Sequence, residues 1–185
     1  MVRKIQVSAE LYLAAAAILL ILPLKWWFAA LLAVLVHEIG HLAAIWLLGG
    51  RVMGMKFGAA GAKIEACITG RGKEAFCALS GPLASFLLLL AARFYPEASL
   101  CGLIQGCYNL IPIYPMDGGR IIRCILPEDL CVGIEGFALV LLWGTGIWLG
   151  LGYHMGVLPL IPGFAATIQL INRKIPCKES KFAVQ

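Results

Sequence analysis

The stretch 26-WWFAALLAVLVHEIGHLAAIWLLGG-50 decides how this chain folds. A membrane-spanning helix needs about 20 mostly apolar residues, and this stretch supplies them. Only His37, Glu38 and His41 interrupt its apolar character. Each ionisable side chain at bilayer depth costs up to about 3 kcal/mol on insertion scales, so three together need a compensating partner. The stretch therefore predicts a membrane helix that carries a polar site.

The composition of the whole chain agrees with a membrane protein. Hydrophobic residues make up 61% of the 185 residues, charged residues make up 14%, and the mean hydropathy is +0.89. A soluble chain is about 45–50% apolar and about 25% charged. These proportions exclude a soluble enzyme, a disordered tail and a nucleic-acid binder, so we expect the lipid bilayer and no nucleic acid as a partner. The seven cysteines contain no C-x-x-C pair, which argues against a disulfide framework and a zinc ribbon.

Further apolar runs predict an all-α polytopic membrane protein with about six transmembrane helices. These runs cover residues 11–24, 75–92, 98–116 and 136–172, and the last is long enough for two spans. We expect a single domain over residues 1–185, with core spans at about 26–125 and a short basic tail at 173–185.

Residues 51–70 interrupt the helical pattern. Met53, Met55 and Phe57 alternate with small or charged residues, and the alternation resumes at Ile64 after a glycine-rich turn. Period-2 alternation on both sides of a turn predicts a small β-hairpin, which we expect to lie against the cytosolic face of the membrane.

Lysine and arginine are distributed unevenly between the two sides of the predicted spans. With the N-terminus inside the cell, the cytosolic segments hold all of the 15 basic residues except Lys25 and Arg93. Cytosolic loops of membrane proteins carry an excess of such residues. The distribution predicts a multi-pass protein of the cell membrane with both termini in the cytosol.

The motif H-E-x-x-H at residues 37–41 supplies the reactive side chains of the predicted polar site. On a helix, His37 and His41 project from one face and can bind one metal ion. Glu38 follows the first ligand and can act as a general base toward water at the metal. The alternative, a polar cluster that only joins helices, leaves this spacing unexplained.

Two histidines leave a catalytic zinc ion one protein ligand short. The remaining histidine, His154, falls on the far side of the membrane, whereas Asp117 follows the fourth predicted span near the cytosolic side. Pro112 and Pro115 end regular helix there, so Asp117 can turn inward. We predict one zinc ion per chain held by these three ligands, although other divalent ions also suit two histidines and one carboxylate.

These motifs resemble those of the site-2 proteases, the zinc intramembrane metalloproteases. The H-E-x-x-H motif of one span is followed by N-x-x-P-x-x-x-x-D-G, which runs from Asn109 to Gly118. Gly81 and Ser85 match the family pattern G-x-x-x-(N/S/G), although that spacing is also a common helix-packing device. The resemblance implies a zinc site with four assigned residues: His37, His41 and Asp117 as ligands and Glu38 as the base. It further implies that Asn109 lies near the cleaved bond as an oxyanion donor, with an interhelical hydrogen bond as the alternative.

The resemblance implies an endopeptidase that cleaves transmembrane or membrane-tethered proteins near the cytosolic side. The layout lacks a PDZ-like insertion and is closest to the sporulation-type branch, which processes a sigma-factor precursor. A sigma-factor precursor or an anti-sigma factor is therefore a candidate substrate. The hairpin at 51–70 resembles a β-element of the family, and we expect an exposed strand edge there to pair with an unwound substrate.

A metal-ion transporter or a non-proteolytic metal-binding membrane protein is the alternative, because intramembrane histidines and carboxylates also mark ion pathways. A transporter, however, gains nothing from Glu38 as a base that does not bind the metal. Transporters also often contain internal repeats, which this sequence lacks.

Overall fold

The computed structural model describes residues 5–7, 23–58, 61–152, 158–171 and 183–184. The helices are α1 (Leu24–Leu47), α2 (Arg71–Leu87) with a 3₁₀ turn at Leu88–Ala91, α3 (Pro96–Asn109), α4 (Asp117–Ile125), α5 (Glu128–Gly152) and, after a 3₁₀ turn at Leu158–Leu160, α6 (Ile161–Ile171). The strands are β1 (Ile5–Val7), β2 (Arg51–Gly58), β3 (Gly61–Cys67) and β4 (Ala183–Val184). The predicted class, a helical membrane protein with a small β-element, is confirmed.

Among the described residues, three helices are long and apolar enough to cross a membrane: Leu24–Leu47, Arg71–Ala91 and Glu128–Gly152. The first two match the predicted spans 26–50 and 75–92. The third begins before residue 136, where the sequence placed its start. The predicted span 11–24 lies almost entirely outside the described residues, so the total of six spans stays a prediction.

Two of the predicted spans contain helices shorter than a membrane crossing. The helix expected over 98–116 is α3, which has 14 residues and ends at Asn109. Pro112 and Pro115 follow, and neither has the backbone N–H that would continue the helix. The last helix, α6, has 11 residues.

α1 buries one narrow stripe of its surface. Ala29, Ala33, His37, His41 and Ala44 are buried and follow one another at steps of four or three residues, which places them on one helix face. The small alanine side chains let neighbouring helices approach closely, and α1 packs against both α2 and α3. Large apolar side chains on the rest of α1 are exposed, as a lipid-facing surface requires.

A glycine turn at the end of α1 directs the chain into the sheet. Gly49 has a φ of 71°, and its N–H donates to the carbonyl of Trp46 at 3.1 Å. The N–H of Gly50 donates to the carbonyl of Ile45 at 2.8 Å. This pair of bonds is a Schellman motif, in which glycine tolerates the left-handed conformation. Ile45 then packs with Ile68, which joins the base of the sheet to α1.

β2 and β3 form the predicted hairpin, but the sheet is larger than predicted. The hairpin is antiparallel, with a bulge between Val52 and Gly54. β1 pairs in parallel with residues 55–57 of β2, and β4 pairs with residues 64–65 of β3. Strands from distant parts of the chain therefore cover part of each hairpin edge, whereas the sequence suggested an exposed edge.

Gly40 provides a test of the contact between α1 and α2. A Cβ atom at Gly40 would lie 2.6 Å from the Cβ of Ala84 and 2.6 Å from the carbonyl oxygen of Ser80. We expect Gly40→Ala to destabilise the zinc-free protein by roughly 1–3 kcal/mol, because α2 must shift. The control is Gly136→Ala in α5, where a Cβ meets open space and the better helix propensity of alanine should be neutral or stabilising. Thermal unfolding in detergent measures both, and equal midpoints would contradict the close contact.

Candidate metal centre

The three side chains predicted as metal ligands meet at one buried point. Nε2 of His37 and Nε2 of His41 are 3.2 Å apart. Each of these nitrogens lies 3.2 Å from Oδ2 of Asp117. The three residues are 3%, 0% and 2% exposed. Within the described ranges, they are the one group of three or more candidate ligand side chains close enough to share a metal ion.

α2 holds the far nitrogen of each imidazole ring. Nδ1 of His41 lies 2.8 Å from the carbonyl oxygen of Cys77, and Nδ1 of His37 lies 2.9 Å from Oγ of Ser85. A carbonyl oxygen only accepts hydrogen bonds, so His41 donates from Nδ1 and its Nε2 carries the lone pair. Histidines that bind metals are commonly oriented in this way by a second hydrogen bond.

Asp117 reaches the histidines because α3 ends early and the chain turns. Asp117 is the first residue of α4 and follows an irregular segment, 110–116, in which the Tyr114–Pro115 peptide bond is cis. A Cβ atom at Gly118 would collide with the carbonyl of Leu110, so the first turn of α4 lies directly on this segment. The predicted inward turn of Asp117 thus comes from backbone packing between the segment and α4.

The three ligand atoms fit a tetrahedral divalent metal such as zinc. Bonds of about 2.0–2.1 Å at tetrahedral angles place ligand atoms about 3.3 Å apart, close to the 3.2 Å found here. Oδ2 of Asp117 has no hydrogen-bond partner in the part of the chain that the structure describes. A divalent cation between the three atoms would satisfy all of them at once, whereas a single proton would satisfy only one pair of atoms.

Gly81 keeps the space beside the ligand atoms open. A Cβ atom there would collide with Nε2 of His41 and would lie 2.9 Å from Nε2 of His37. Four residues later on the same helix, Ser85 contacts the ring of His37. The G-x-x-x-S pattern, which the sequence also allowed as simple helix packing, thus places both of its residues at the candidate site.

Glu38 lies beside the ligands on α1. It directly follows His37, the first candidate ligand, on that helix. Its Oε2 atom is buried and makes no hydrogen bond to any residue that the structure describes. A buried carboxylate oxygen next to the ligands is placed to accept a proton from water at the site.

Asn109 is the last residue of α3, and its side chain points to its own helix. Nδ2 of Asn109 donates to the carbonyl of Gln105 at 3.1 Å. The amide of Asn109 therefore has a hydrogen-bond partner other than the three ligands. The expected role of Asn109 as an oxyanion donor near the cleaved bond stays a prediction.

Two contributors to the site were not found in the sequence. Cys77 acts through its backbone carbonyl, which has no side-chain signature. Arg120 is buried, and its Nη1 atom donates to Oδ1 of Asp117 at 3.3 Å, which leaves Oδ2 to face the histidines. Its position three residues after Asp117 is the spacing of side-chain neighbours on a helix, so a helix predicted from Asp117 onward would have revealed this pair.

Comparisons with known proteins place this arrangement in a family. The family model for Peptidase M50B-like proteins matches residues 10–107, which include α1 and the H-E-x-x-H motif. The zinc metalloprotease MJ0392 of Methanocaldococcus jannaschii is 44% identical over 64 residues, covering 27% of this chain and 19% of that protein. Stage IV sporulation protein FB of Bacillus subtilis is 30% identical over 144 residues, covering 70% of this chain and 50% of that protein. The chain thus spans half or less of the length of these two relatives.

A solved structure supports the same fold. The site-2 protease from Methanocaldococcus jannaschii aligns with a TM-score of 0.62 over 95% of this chain and 93% of that one, at 23% identity. At this identity the likeness concerns the fold alone. Because the family model covers more than half of the sequence, the chain belongs to the Peptidase M50B-like family, that of the site-2 proteases.

Proposed function

We propose that this protein is a zinc-dependent intramembrane endopeptidase, built as a single membrane domain. The observation that carries the proposal is the buried triangle of two imidazole nitrogens and one carboxylate oxygen, each 3.2 Å from the others. The Oε2 atom of Glu38, which makes no hydrogen bond to any described residue, adds the base that peptide hydrolysis needs. A polar cluster that only joined helices would not require three potential ligand atoms to converge at distances typical of a metal site.

His37, His41 and Asp117 would hold one zinc ion per chain. When bound, zinc acidifies water and polarises the carbonyl of a peptide bond. Glu38 accepts the proton of the attacking water and then delivers it to the leaving amine, so that the peptide bond breaks without a charged amide leaving group. The hydrogen bonds that join the Nδ1 atom of each histidine to α2 keep both rings in the required orientation.

Asn109 is our proposed donor to the developing oxyanion. An amide N–H near that oxygen would stabilise its negative charge more in the transition state than in the substrate. Nδ2 of Asn109 donates one of its two hydrogens to the carbonyl of Gln105, which leaves the second hydrogen for this role.

The proposed substrate is a transmembrane or membrane-tethered protein, cut near the cytosolic side. The membrane-spanning helices around the site favour a substrate that shares the bilayer, and a sigma-factor precursor or an anti-sigma factor is a specific candidate. The parts of β2 and β3 that β1 and β4 leave unpaired offer backbone groups to which an unwound substrate strand can add.

We further propose that the protein lies in the cell membrane with both termini in the cytosol. The excess of lysine and arginine in the segments on that side supports this orientation.

Glu38→Gln tests the proposed chemistry. Glutamine fills the same space but cannot take up a proton, so we expect cleavage of single-span substrates to fall by at least about 10²-fold. Zinc content should stay near one ion per chain, because Glu38 is not a ligand. Purified protein in detergent, assayed for zinc by mass spectrometry and for cleavage of a substrate panel, measures both. The control is Glu128→Gln, an exposed site in the first turn of α5, and undiminished cleavage by Glu38→Gln would refute the mechanism.

Gly81→Ala tests the space beside the ligand atoms. Its Cβ atom would collide with Nε2 of His41, so we expect the variant to lose most of its zinc and its cleavage together. Gly72→Ala, near the start of the same helix, places its Cβ in open space and should keep both. Wild-type zinc content in Gly81→Ala would show that the ion is bound elsewhere.

Labelling in intact cells tests the orientation. A variant that keeps Cys67 as its single cysteine should resist a membrane-impermeant maleimide, because β3 is expected on the cytosolic side. A cysteine-free background with Arg93→Cys should react, because that exposed position precedes α3 on the opposite side. The reverse pattern would invert the proposed topology, and permeabilised cells provide the control in which both sites react.

A further inference from the structure

A buried ion pair joins α5 to α4. Nε and Nη2 of Arg123 each lie 2.8 Å from Oε1 of Glu135. The side chain of Glu135 is 3% exposed, and the residue lies inside the apolar helix α5. Burying a carboxylate in such a place costs free energy unless it is paired. Breaking this ion pair should therefore destabilise the protein more than breaking a surface ion pair.

The same pair contacts the segment that precedes Asp117. Oε1 of Glu135 accepts a hydrogen bond from the backbone N–H of Tyr114 at 3.4 Å. The guanidinium of Arg123 lies over the ring of Tyr114, 4.7 Å from its centroid. Tyr114 comes three residues before Asp117 and Arg123 comes six residues after it. The pair therefore holds the chain on both sides of the third ligand.

Backbone packing couples the position of Asp117 to the Arg123–Glu135 pair. A Cβ atom at Gly119 would collide with the backbone between Ile113 and Tyr114, so the first turn of α4 moves with that segment. Asp117 must keep Oδ2 within reach of two nitrogens that belong to another element, α1. Contacts that hold α4 and the segment before it maintain this distance, and they include the packing of α4 against α2.

We propose that Glu135, acting through Arg123 and Tyr114, is a positioning residue that holds Asp117 at the metal site. The inference rests on the proposed function, because it treats the three ligands as a metal site. Glu135 lies beyond residues 10–107, which the family model matches, and its hydrogen bonds described above go to Arg123 and Tyr114. Its effect therefore has to appear in metal affinity, and it has to depend on Asp117.

Zinc affinity of the full chain in detergent, measured by competition with a chelator, tests the proposal. We expect Glu135→Gln to weaken zinc binding by about 10–100-fold, as is typical when a residue that orients a ligand is lost. The control is Glu97→Gln, which removes an exposed interhelical ion pair with Lys25, 3.0 Å long, and should leave zinc affinity unchanged.

A double variant separates positioning from general stability. If Glu135 acts through Asp117, adding Glu135→Gln to Asp117→Ala should change the remaining zinc affinity by less than about 2-fold, because the two effects are not additive. A merely structural pair would lower the unfolding midpoint of the zinc-free protein and leave zinc affinity unchanged. If Glu135→Gln does not fold, Arg123→Gln, at the partly exposed end of the pair, is measured against the same criteria.

The outcomes distinguish this inference from the proposed function. Zinc affinity equal to wild type in Glu135→Gln, or an equal loss in the Asp117→Ala background, would overturn the inference alone. A wild-type protein that binds no zinc would overturn both. Zinc binding that depends on Glu135, in a protein that cuts no substrate, would support the positioning role and count against the protease.

Discussion

The convergence of two imidazole nitrogens and one carboxylate oxygen, each 3.2 Å from the others inside an apolar helix bundle, constrains how the surrounding elements pack. Lipid cannot solvate such polar groups, so the surrounding protein has to orient them and shield them from the bilayer. Much of the packing around α1 serves this purpose. Alanines let other helices approach its buried stripe, Gly40 admits α2, and Gly81 leaves room where the two Nε2 atoms meet.

Asp117, the third candidate ligand, follows an irregular segment, and a regular membrane-spanning helix could not place it at the same point. Irregular backbone at membrane depth is tolerated only where protein covers it. Here Ile113 is fully buried and packs in one cluster with Ala138 of α5 and Ala166 of α6. The later helices therefore cover the segment before Asp117 and, through Glu135, hold it in place. The H-E-x-x-H motif on α1 is thus joined by a third candidate ligand whose position depends on elements far along the chain.

The elements best predicted from the sequence are those whose pattern is local. α1 and α2 were predicted from apolar runs long enough to span a membrane. The hairpin was predicted from alternation, and the end of α3 from two prolines. The start of α5 was placed too late because Glu135 interrupts the apolar run. In the fold this carboxylate is paired with Arg123, so it lies inside the helix instead of ending it. β1 and β4 were missed because such short strands carry no pattern of their own, and only pairing with the hairpin defines them.

Residue types and their spacing were enough to predict the membrane class, the two histidines on one helix face, the adjacent glutamate and the candidate third ligand. Each of these depends on residue type and on spacing within one element, which helix geometry converts directly into position. Only the tertiary structure decided which atoms meet and what holds them. The carbonyl of Cys77, the hydroxyl of Ser85 and the Arg123–Glu135 pair come from other elements. Contacts of this kind depend on how helices pack against one another. Residues that are far apart in the chain show no local sequence pattern that predicts such packing.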